Sequence, residues 1–432
     1  MDRTPSRLTA SLFSTDTFSK GSVILLRTHQ SGRFLLIALC AAVALASHAA
    51  FPQTKSPASE TFKQLSEQAA KASEENRLED AALLYRKALH LRPRWAEGWW
   101  SLGTLAYDQN HYADATAAFA KLITLQPENG TARAMLGLCQ VELKQDDLAL
   151  NNLSLAQHLG VQNDRQLQHV VLYQLGSVQL RKRKFGDAMN TITLLLKDGI
   201  RSPEVVTSLG MAALTIQPQN APPVGTAGRD VIDRVGSAEL LAVLKDFAAA
   251  QETFTLLATE YPTYPNLHFA FGRLYLDAHK TDEAVLEFQK ELQQNPKHLG
   301  ALLEIAAVRY RLDSAEGIKY AEQAVKVSPQ LAFAHYLLGL LYLDTGKAAE
   351  ALPELQFAQK AFPGEAQVYF ALGNTYAKLG RKEDAARMRA QFIRLNAAEK
   401  TQKESSDPTV YGDQASGLLS EKLRQQSSLP PN

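Results

Sequence analysis

Cysteine is scarce in this chain of 432 residues, which holds only Cys40 and Cys139. Cys40 lies in an apolar segment near the N-terminus, so the remainder of the chain has a single cysteine and cannot form an internal disulfide. A fold stapled by disulfides is therefore excluded. Cys139 has no histidine near it in the sequence, which favours a buried and inert thiol.

An excess of charge of one sign is also lacking. Lysine and arginine number 46 against 45 aspartates and glutamates, a formal net charge of +1. This balance gives no whole-chain electrostatic basis for binding nucleic acid. The one basic cluster, Arg181-Lys182-Arg183-Lys184, falls in a predicted turn between helices. We interpret it as solvated surface, and contact with phosphate or an anionic lipid is the alternative.

The common catalytic and cofactor motifs are absent: there is no HExxH, paired CxxC, GxSxG, GxGxxG or phosphate-binding GxxxxGK sequence. The 10 histidines are scattered, and no two have the i, i+4 spacing that would place them on one helix face. We interpret His335 as a packing residue. The acidic pairs Asp146-Asp147 and Glu383-Asp384 precede predicted helices, which they would cap. We therefore predict that the chain is not an enzyme and holds no metal or cofactor.

Near the N-terminus, residues 34–46 (FLLIALCAAVALA) form an unbroken apolar run. Basic residues precede it, and a small-x-small pattern follows and ends at Ala49, as in a secretory signal. About 20 apolar residues are needed to span a bilayer, so the run is short for a permanent anchor. We predict a signal peptide over 1–49, cleaved after Ala49, and an exported protein that is periplasmic or secreted. The alternative is an uncleaved segment that anchors the chain to the inner membrane.

Two landmarks recur with one period in the rest of the chain. The spacing between the Leu-Gly pairs at 102–103 and 136–137 equals the spacing between those at 338–339 and 372–373. Prolines repeat with the same period, from Pro93 to Pro127 and from Pro329 to Pro363. Between the landmarks, apolar residues recur at spacings of three and four. This pattern predicts two amphipathic helices per repeat, the second of which ends at the proline.

This period resembles the tetratricopeptide-repeat family, whose unit of about 34 residues carries W-x2-L-G-x2-Y, then A-x3-F-x2-A, then P. The matching residues are Trp99, Leu102, Gly103, Ala115, Phe119 and Pro127 in one repeat, and His335, Leu338, Gly339, Tyr342, Ala351, Leu355, Ala358 and Pro363 in another. The resemblance, to an exported bacterial member, implies an all-α fold: a right-handed superhelical solenoid of about nine helix-turn-helix repeats, one of them degenerate with an inserted loop. It implies repeat-packing roles for Leu102, Gly103, Ala115, Phe119, Gly339, Ala351 and Gly373.

The period places repeats at 62–95, 96–129, 130–163, 169–202, 265–298, 299–331, 332–365 and 366–397. The helix that contains Leu209-Gly210 is predicted to be a lone first helix, and 231–264 to be a degenerate repeat. The predicted domains are a signal peptide (1–49), a linker (50–61), N-terminal repeats (62–202), a degenerate region (203–264), C-terminal repeats (265–397) and a polar flexible tail (398–432), with a short capping helix near 413–425.

Within the degenerate region, residues 217–230 carry three prolines and two glycines, which predicts a long loop. It would be a hinge between two subdomains, a functional loop or a tolerated surface insertion.

In this family the first helices line a concave groove that holds a peptide or a partner helix. The resemblance places eight residues of this chain on that groove: Trp100, Tyr107, Tyr173, Phe269, Arg273, Tyr336, Phe370 and Asn374. Aromatic anchors favour an apolar peptide or helix as the partner, with Arg273 and Asn374 holding its backbone or an acidic group. Packing between repeats is the alternative role for these side chains. The Lys and Asn clamp of the chaperone-binding members is missing.

These observations predict an exported scaffold that binds a protein or peptide partner in its groove, without nucleic acid. A non-catalytic regulatory or carrier subunit of an envelope enzyme is the alternative.

Overall fold

The computed structural model of the chain describes residues 57–161 and 164–404; the predicted signal segment and the predicted helix near 413–425 lie outside them. Within these two ranges the chain folds into nineteen α-helices and one short 3-10 helix, Pro218–Asn220, without a β-strand. In chain order the helices are α1 (Pro57–Glu74), α2 (Leu78–Leu91), α3 (Ala96–Asp108), α4 (Tyr112–Leu125), α5 (Gly130–Glu142), α6 (Asp146–Leu159), α7 (Arg165–Arg181), α8 (Phe185–Lys197), α9 (Pro203–Ala213), α10 (Ala227–Val243), α11 (Phe247–Glu260), α12 (Leu267–Asp277), α13 (Thr281–Gln294), α14 (Leu299–Arg309), α15 (Ser314–Val327), α16 (Ala332–Asp344), α17 (Ala348–Ala361), α18 (Ala366–Lys378) and α19 (Lys382–Glu404).

The helices belong to two compact bodies. The described part of the N-terminal body, 57–110, holds α1 to α3, and that of the C-terminal body, 111–404, holds α4 to α19. Inside each body every helix packs on the next along the chain, as in a stack of helix pairs that bury their apolar faces against their neighbours. The predicted all-α solenoid of helix-turn-helix repeats is confirmed. No helix among the described residues is long and apolar enough to span a bilayer.

Turns of one kind join the two helices of most repeats in the C-terminal body. One residue adopts left-handed backbone, with φ of 59° at Lys144, 60° at Arg183 and 59° at His279. The next N–H then bonds back to the carbonyl five positions earlier, as from Lys184 to Gln179 at 2.8 Å. This closing turn usually carries glycine. Because lysine, arginine or histidine takes this position here, a search of the sequence for glycine does not identify these turns.

In four repeats of the C-terminal body, the core forms where a glycine of the first helix faces a large residue of the second. A Cβ atom placed on Gly339 would lie 2.6 Å from Leu355 Cγ, and one on Gly137 would lie 2.7 Å from Leu153 Cγ. Such close approach requires glycine and leaves no room for a side chain. The seven residues predicted to pack the repeats are all buried: Leu102, Gly103, Ala115, Phe119, Gly339, Ala351 and Gly373.

The helix that contains Gly210 is not a lone first helix, and that prediction is wrong. Helix α9 packs on α10, and a Cβ on Gly210 would overlap the carbonyl oxygen of Ile232, while one on Gly236 would overlap that of Val206. Two facing glycines therefore let the backbones touch. Helix α10 packs on α11 as well as on α9. It is therefore the second helix of a pair with α9 and also the first helix of the predicted degenerate repeat at 231–264.

The loop predicted at 217–230 is present but shorter, because α10 begins at Ala227. Two hydrogen bonds attach the start of this loop to the neighbouring helices. The Gln217 side-chain amide donates to the Arg181 carbonyl (2.8 Å), and the Asn266 amide donates to the Leu214 carbonyl (2.8 Å). Both flanking helices belong to the C-terminal body, so the loop does not separate two subdomains.

The chain ends differ from the sequence predictions. Helix α1 begins at Pro57, so 57–61 is not linker; proline fits the first helical position because the N–H it lacks would have no partner there. Helix α19 continues through 398–404, where a flexible tail was predicted. The continuation carries alanine, glutamate, lysine and glutamine, which favour helix.

Candidate functional site

One hydrogen bond recurs at the start of the first helices and fixes how they are placed. In five repeats a side chain in the first turn of the helix reaches the carbonyl oxygen of the proline that ends the preceding repeat. The donors are Trp99 to Pro93 (2.8 Å), Arg133 to Pro127 (3.0 Å), His268 to Pro262 (3.2 Å), His335 to Pro329 (2.9 Å) and Tyr369 to Pro363 (3.0 Å). This bond orients the helix face that carries the predicted partner-binding residues.

The two histidines of this set are engaged at both ring nitrogens. Nδ1 of His268 lies 2.6 Å from Glu287 Oε2, and Nδ1 of His335 lies 2.5 Å from Glu354 Oε2. Burial raises the pKa of Glu287, but hydrogen bonds from His268 and Lys290 outweigh it and leave the pKa below its usual value. Neither ring has a nitrogen left to exchange a proton with a substrate, so these pairs are structural. The ring of His335 also stacks on Phe357 with centroids 4.0 Å apart, as a packing residue would.

A groove of about 590 Å³ opens beside His268, between α11, α12 and α13. Thr255, Tyr275, Lys290 and Gln294 are among its lining residues, and none of them was singled out from the sequence. No group of three or more histidine, cysteine or acidic residues that could hold a metal ion occurs in the described ranges.

Three of the predicted groove aromatics are buried, and their assignment as partner anchors is wrong. Tyr173, Phe269 and Tyr336 are 9%, 7% and 2% exposed. The ring of Phe269 packs against Phe288 and His298, with centroids 5.7 and 4.7 Å away. Burial also raises the pKa of Tyr336. Phe269 and Tyr336 belong to hydrophobic clusters of buried residues from neighbouring helices, so these two rings pack in the core.

Other predicted groove residues remain accessible in the C-terminal body. Phe370 is 45% exposed and contacts Phe392, with ring centroids 5.3 Å apart. Arg273 and Asn374 are partly buried, and neither makes a hydrogen bond or ion pair with any part of the chain that the structure describes. In the N-terminal body, Trp100 and Tyr107 are partly buried and have partners. The accessible candidate site thus consists of Arg273, Phe370 and Asn374.

A residue that the sequence analysis missed lies beside this site. Glu239 on α10 is 8% exposed, and its charge interacts with those of Arg273 and Asp277 on α12. Burial raises its pKa to about 7, while Arg273 lowers it and Asp277 raises it further. Glu239 precedes Arg273 by one repeat period. If the repeat register had been extended from Arg273 back into the degenerate repeat, it would have identified Glu239.

The basic cluster at 181–184 is largely neutralised by carboxylates. Arg181 forms a two-pronged ion pair with Asp146 at 2.8 and 2.9 Å, and Lys182 pairs with Asp147 at 2.7 Å. The hydrogen bond from Arg181 lowers the pKa of Asp146 against the effect of burial. The acidic pair therefore joins two successive repeats. It lies in the first turn of α6, but the N-cap residue is Gln145 and no side chain caps the helix.

Two further sequence predictions concern single side chains. Cys139 is fully buried, as predicted, and burial raises the pKa of its thiol to about 12, which leaves little thiolate to react. Asp384, in the first turn of α19, bonds to Arg381 and Arg387. These bonds lower its pKa.

Comparison with known proteins assigns the repeats. A family model for the tetratricopeptide repeat matches residues 101–157, 309–365 and 336–388. Human Protein O-mannosyl-transferase TMTC3 is 32% identical over 110 residues, which make up 25% of this chain and only 12% of that protein.

Solved structures with similar helix stacks include MamA (41-end) from Desulfovibrio magneticus RS-1. It is 20% identical and covers 38% of this chain and 94% of its own, with a TM-score of 0.36. The structure of YrrB, described as a TPR protein with an unusual peptide-binding site, is 21% identical and covers 38% of this chain and 85% of its own, with a TM-score of 0.35.

Proposed function

Tetratricopeptide repeats are present at residues 101–157 and 309–388, and on that premise we propose that the chain is a non-catalytic scaffold that binds an extended peptide segment of another protein. The binding face is formed by the first helices of the C-terminal body, with Arg273, Phe370 and Asn374 as contact residues. Repeats of this fold generally serve interaction rather than catalysis, and both His–Glu pairs described above lack a free nitrogen.

The observation that carries the proposal is the lack of internal partners for Arg273 and Asn374. Both side chains are partly buried donors on first helices, and neither bonds to any described residue. Neither side chain has a polar atom among the buried ones that lack a partner, so both remain accessible from outside the chain and can donate to a bound peptide. The two residues are separated by three repeats, or about 25–30 Å at 8–10 Å per packed helix. An extended chain rises about 3.3 Å per residue, so a peptide of about nine residues would reach both.

Selection of 12-residue peptides displayed on phage against the full chain tests this function. A selected peptide, labelled and titrated by fluorescence polarisation, should bind at least tenfold more weakly to Arg273→Ala with Asn374→Ala. The matched control is Gln323→Ala with Lys326→Ala, which removes one amide and one cation from the exposed face of α15 and should leave affinity unchanged. Equal affinity of both double variants would place the peptide elsewhere, and absence of any enriched peptide would contradict the proposed function.

We further propose that the chain is exported by the segment 34–46. The apolar run and the small residues ending at Ala49 support this proposal. Expression of the full chain in a bacterial host, followed by fractionation and intact-mass measurement, should give a protein that begins at Ala50 outside the cytosol. A cytosolic protein that retains residues 34–46 would contradict it.

A further inference from the structure

The groove beside His268 has a counterpart two repeats later in the chain. There a second histidine, His335, bonds to Glu354, and both histidines reach the carbonyl of the proline six positions earlier. The two places differ at the face of the imidazole ring. Phe357 covers the ring of His335 at a centroid distance of 4.0 Å and an interplanar angle of 27°, whereas no ring of the described chain stacks on His268.

One exchange of residues on the second helix uncovers this face. Lys290 on α13 takes the position that Phe357 has on α17. Its ammonium group extends to Glu287 Oε1, at 2.6 Å, and the lysine side chain is half exposed. The place that a phenyl ring fills in the later repeat is therefore part of an open groove here.

The wall of the groove on α11 is also lower than the matching wall on α15. Ala258 takes the position of Val325 and lacks two of its methyl groups. Thr255 takes the position of Glu322, whose longer side chain accepts a hydrogen bond from Tyr342 at 2.7 Å. Both exchanges shorten the side chain, so α11 leaves space that the side chains of α15 occupy in the later repeat.

The groove offers an aromatic wall, and its charges are already paired. Phe271 and Tyr275 both line it and stack on each other with ring centroids 4.6 Å apart. The carboxylate of Glu287 holds the ammonium group of Lys290 and Nδ1 of His268, each at 2.6 Å. A charged ligand would find no unpaired opposite charge among the lining residues, whereas a flat neutral ring gains stacking contacts.

We propose that this groove binds the phenylalanine side chain of a protein partner, with the phenyl ring against His268 as Phe357 lies against His335. The partner's ring takes the place that the chain fills for itself two repeats later. The volume of about 590 Å³ is typical of a ligand pocket. None of the three contact residues proposed above lines the groove, so this second site does not depend on the proposed function.

The test uses the full chain with ¹³C-labelled histidine and four small probes. These are N-acetyl-phenylalanine amide, N-acetyl-phenylalanine, phenethylamine and N-acetyl-leucine amide. The neutral phenyl probe should move one histidine signal upfield in a saturable way, because a stacked ring shields the protons beneath it, and His268→Gln should remove that signal. The leucine amide should bind several-fold more weakly, and neither charged probe should bind more tightly than the neutral phenyl probe.

Variants of Lys290 separate the space from the charge. Lys290→Phe reproduces the residue of the later repeat, so it should weaken binding of the phenyl probe at least tenfold and move the His268 signal upfield without a probe. Lys290→Met removes the ammonium group without adding a ring and should bind as the wild type does. The matched control Lys319→Phe adds the same ring at an exposed lysine of α15 and should leave binding unchanged.

Several results would overturn the inference. Equal binding of the leucine and phenylalanine amides would mean that the groove takes any apolar group, and tighter binding of a charged probe would mean that it recognises a charge. Loss of binding in Lys290→Met would assign the contact to the ammonium group. A His268 signal that no probe moves at millimolar concentration, or one that still moves in a folded Lys290→Phe protein, would mean that the groove holds no ring. If Lys290→Phe fails to fold by circular dichroism, the four probes on the wild type decide alone.

Discussion

His298 is a residue whose protonation state is fixed by its contacts. As the N-cap of α14, its Nδ1 accepts a hydrogen bond from the Ala301 N–H (3.0 Å), and its Nε2–H donates to Asn266 Oδ1 (2.9 Å). A proton on Nδ1 would remove the cap. Burial lowers the pKa of the ring to about 4, against the opposing effect of the backbone hydrogen bond. The ring is therefore neutral in the folded chain at physiological pH.

This histidine should make the chain sensitive to mild acid. Its folded pKa of about 4 lies below the unfolded value of 6.5, so the unfolded chain binds more protons between those values and stability falls as pH decreases through that window. The expected loss between pH 7.5 and pH 5 is about 2 kcal/mol. Urea unfolding at the two pH values measures it. Asparagine can cap the helix but does not titrate, so the His298→Asn variant should lose about 2 kcal/mol less stability than the wild type between the two pH values. An equal loss in both proteins would show that His298 is not the cause of the acid sensitivity.

Asn266 holds together segments that are far apart in the sequence. It adopts left-handed backbone with φ of 64°, and its side-chain amide donates to the Leu214 carbonyl (2.8 Å) and to Thr215 Oγ1 (3.0 Å). Asn266→Gly keeps the backbone conformation and removes these bonds, so we expect a loss of about 1–3 kcal/mol in the free energy of unfolding.

Asn266→Ala should lose about 1 kcal/mol more because alanine is strained in left-handed backbone. Thermal unfolding of both variants measures these losses, and proteolysis at the exposed loop tip near Val224 should be faster in both. Asn76→Gly is the control, since Asn76 is left-handed and exposed and makes no side-chain hydrogen bond. An effect of Asn266→Gly no larger than the control would show that the side-chain bonds contribute nothing.

At the scale of elements, the contact of α9 with α10 is a backbone-to-backbone helix crossing, and glycine makes it possible. Gly210→Ala would bring a methyl group into the Ile232 carbonyl, which belongs to the backbone and cannot rotate away. Alanine favours helix by about 1 kcal/mol over glycine, yet we expect net destabilisation of about 1–3 kcal/mol from overpacking.

Chemical denaturation of Gly210→Ala beside Gly364→Ala checks this expectation. Gly364 has no atom within 4 Å of its Cβ position and no positive φ, so its substitution should be neutral or slightly stabilising. A Gly210→Ala protein as stable as the wild type would mean that the two helices move apart at no cost.

The sequence predicted correctly those helices whose packing partners lie within the same repeat. Helix α16 begins at Ala332, where the repeat 332–365 was predicted to begin, and Gly339 and its partner Leu355 both lie in that repeat. The pairing of α9 with α10 was missed because Gly210 and Gly236 are farther apart in the sequence than Gly339 and Leu355 are, and the inserted loop accounts for the difference. The burial of Phe269 and Tyr336 was missed because it depends on which side chains pack around each ring, such as Phe288 and His298 around Phe269, and the register gives only the helix face on which a residue lies.

At the scale of the whole molecule, the tryptophans allow the two bodies to be followed separately. All three, Trp95, Trp99 and Trp100, belong to the N-terminal body, while most of the helices belong to the C-terminal body. Stability in repeat arrays is a sum of local terms and neighbour interfaces, and a small body buries less surface than a large one. We therefore expect tryptophan fluorescence to report unfolding at a lower urea concentration than circular dichroism at 222 nm.

Both signals recorded on the same samples would decide the matter. Coincident transitions with a single slope would indicate one cooperative domain rather than an array. As a control, Trp95→Phe with Trp100→Phe leaves Trp99 as the reporter, and its fluorescence should give the same early transition.

The hydrogen bond to the proline carbonyl determines which substitutions the first helices tolerate at this position. An indole, a guanidinium, an imidazole and a phenol all supply the donor at equivalent points. The four repeats share only an N–H or O–H donor at this position, and the rest of the side chain differs. An exchange of tryptophan for arginine, radical by chemical similarity, is conservative at this position. Sister repeats can therefore diverge in composition while the stacking of their helices stays the same.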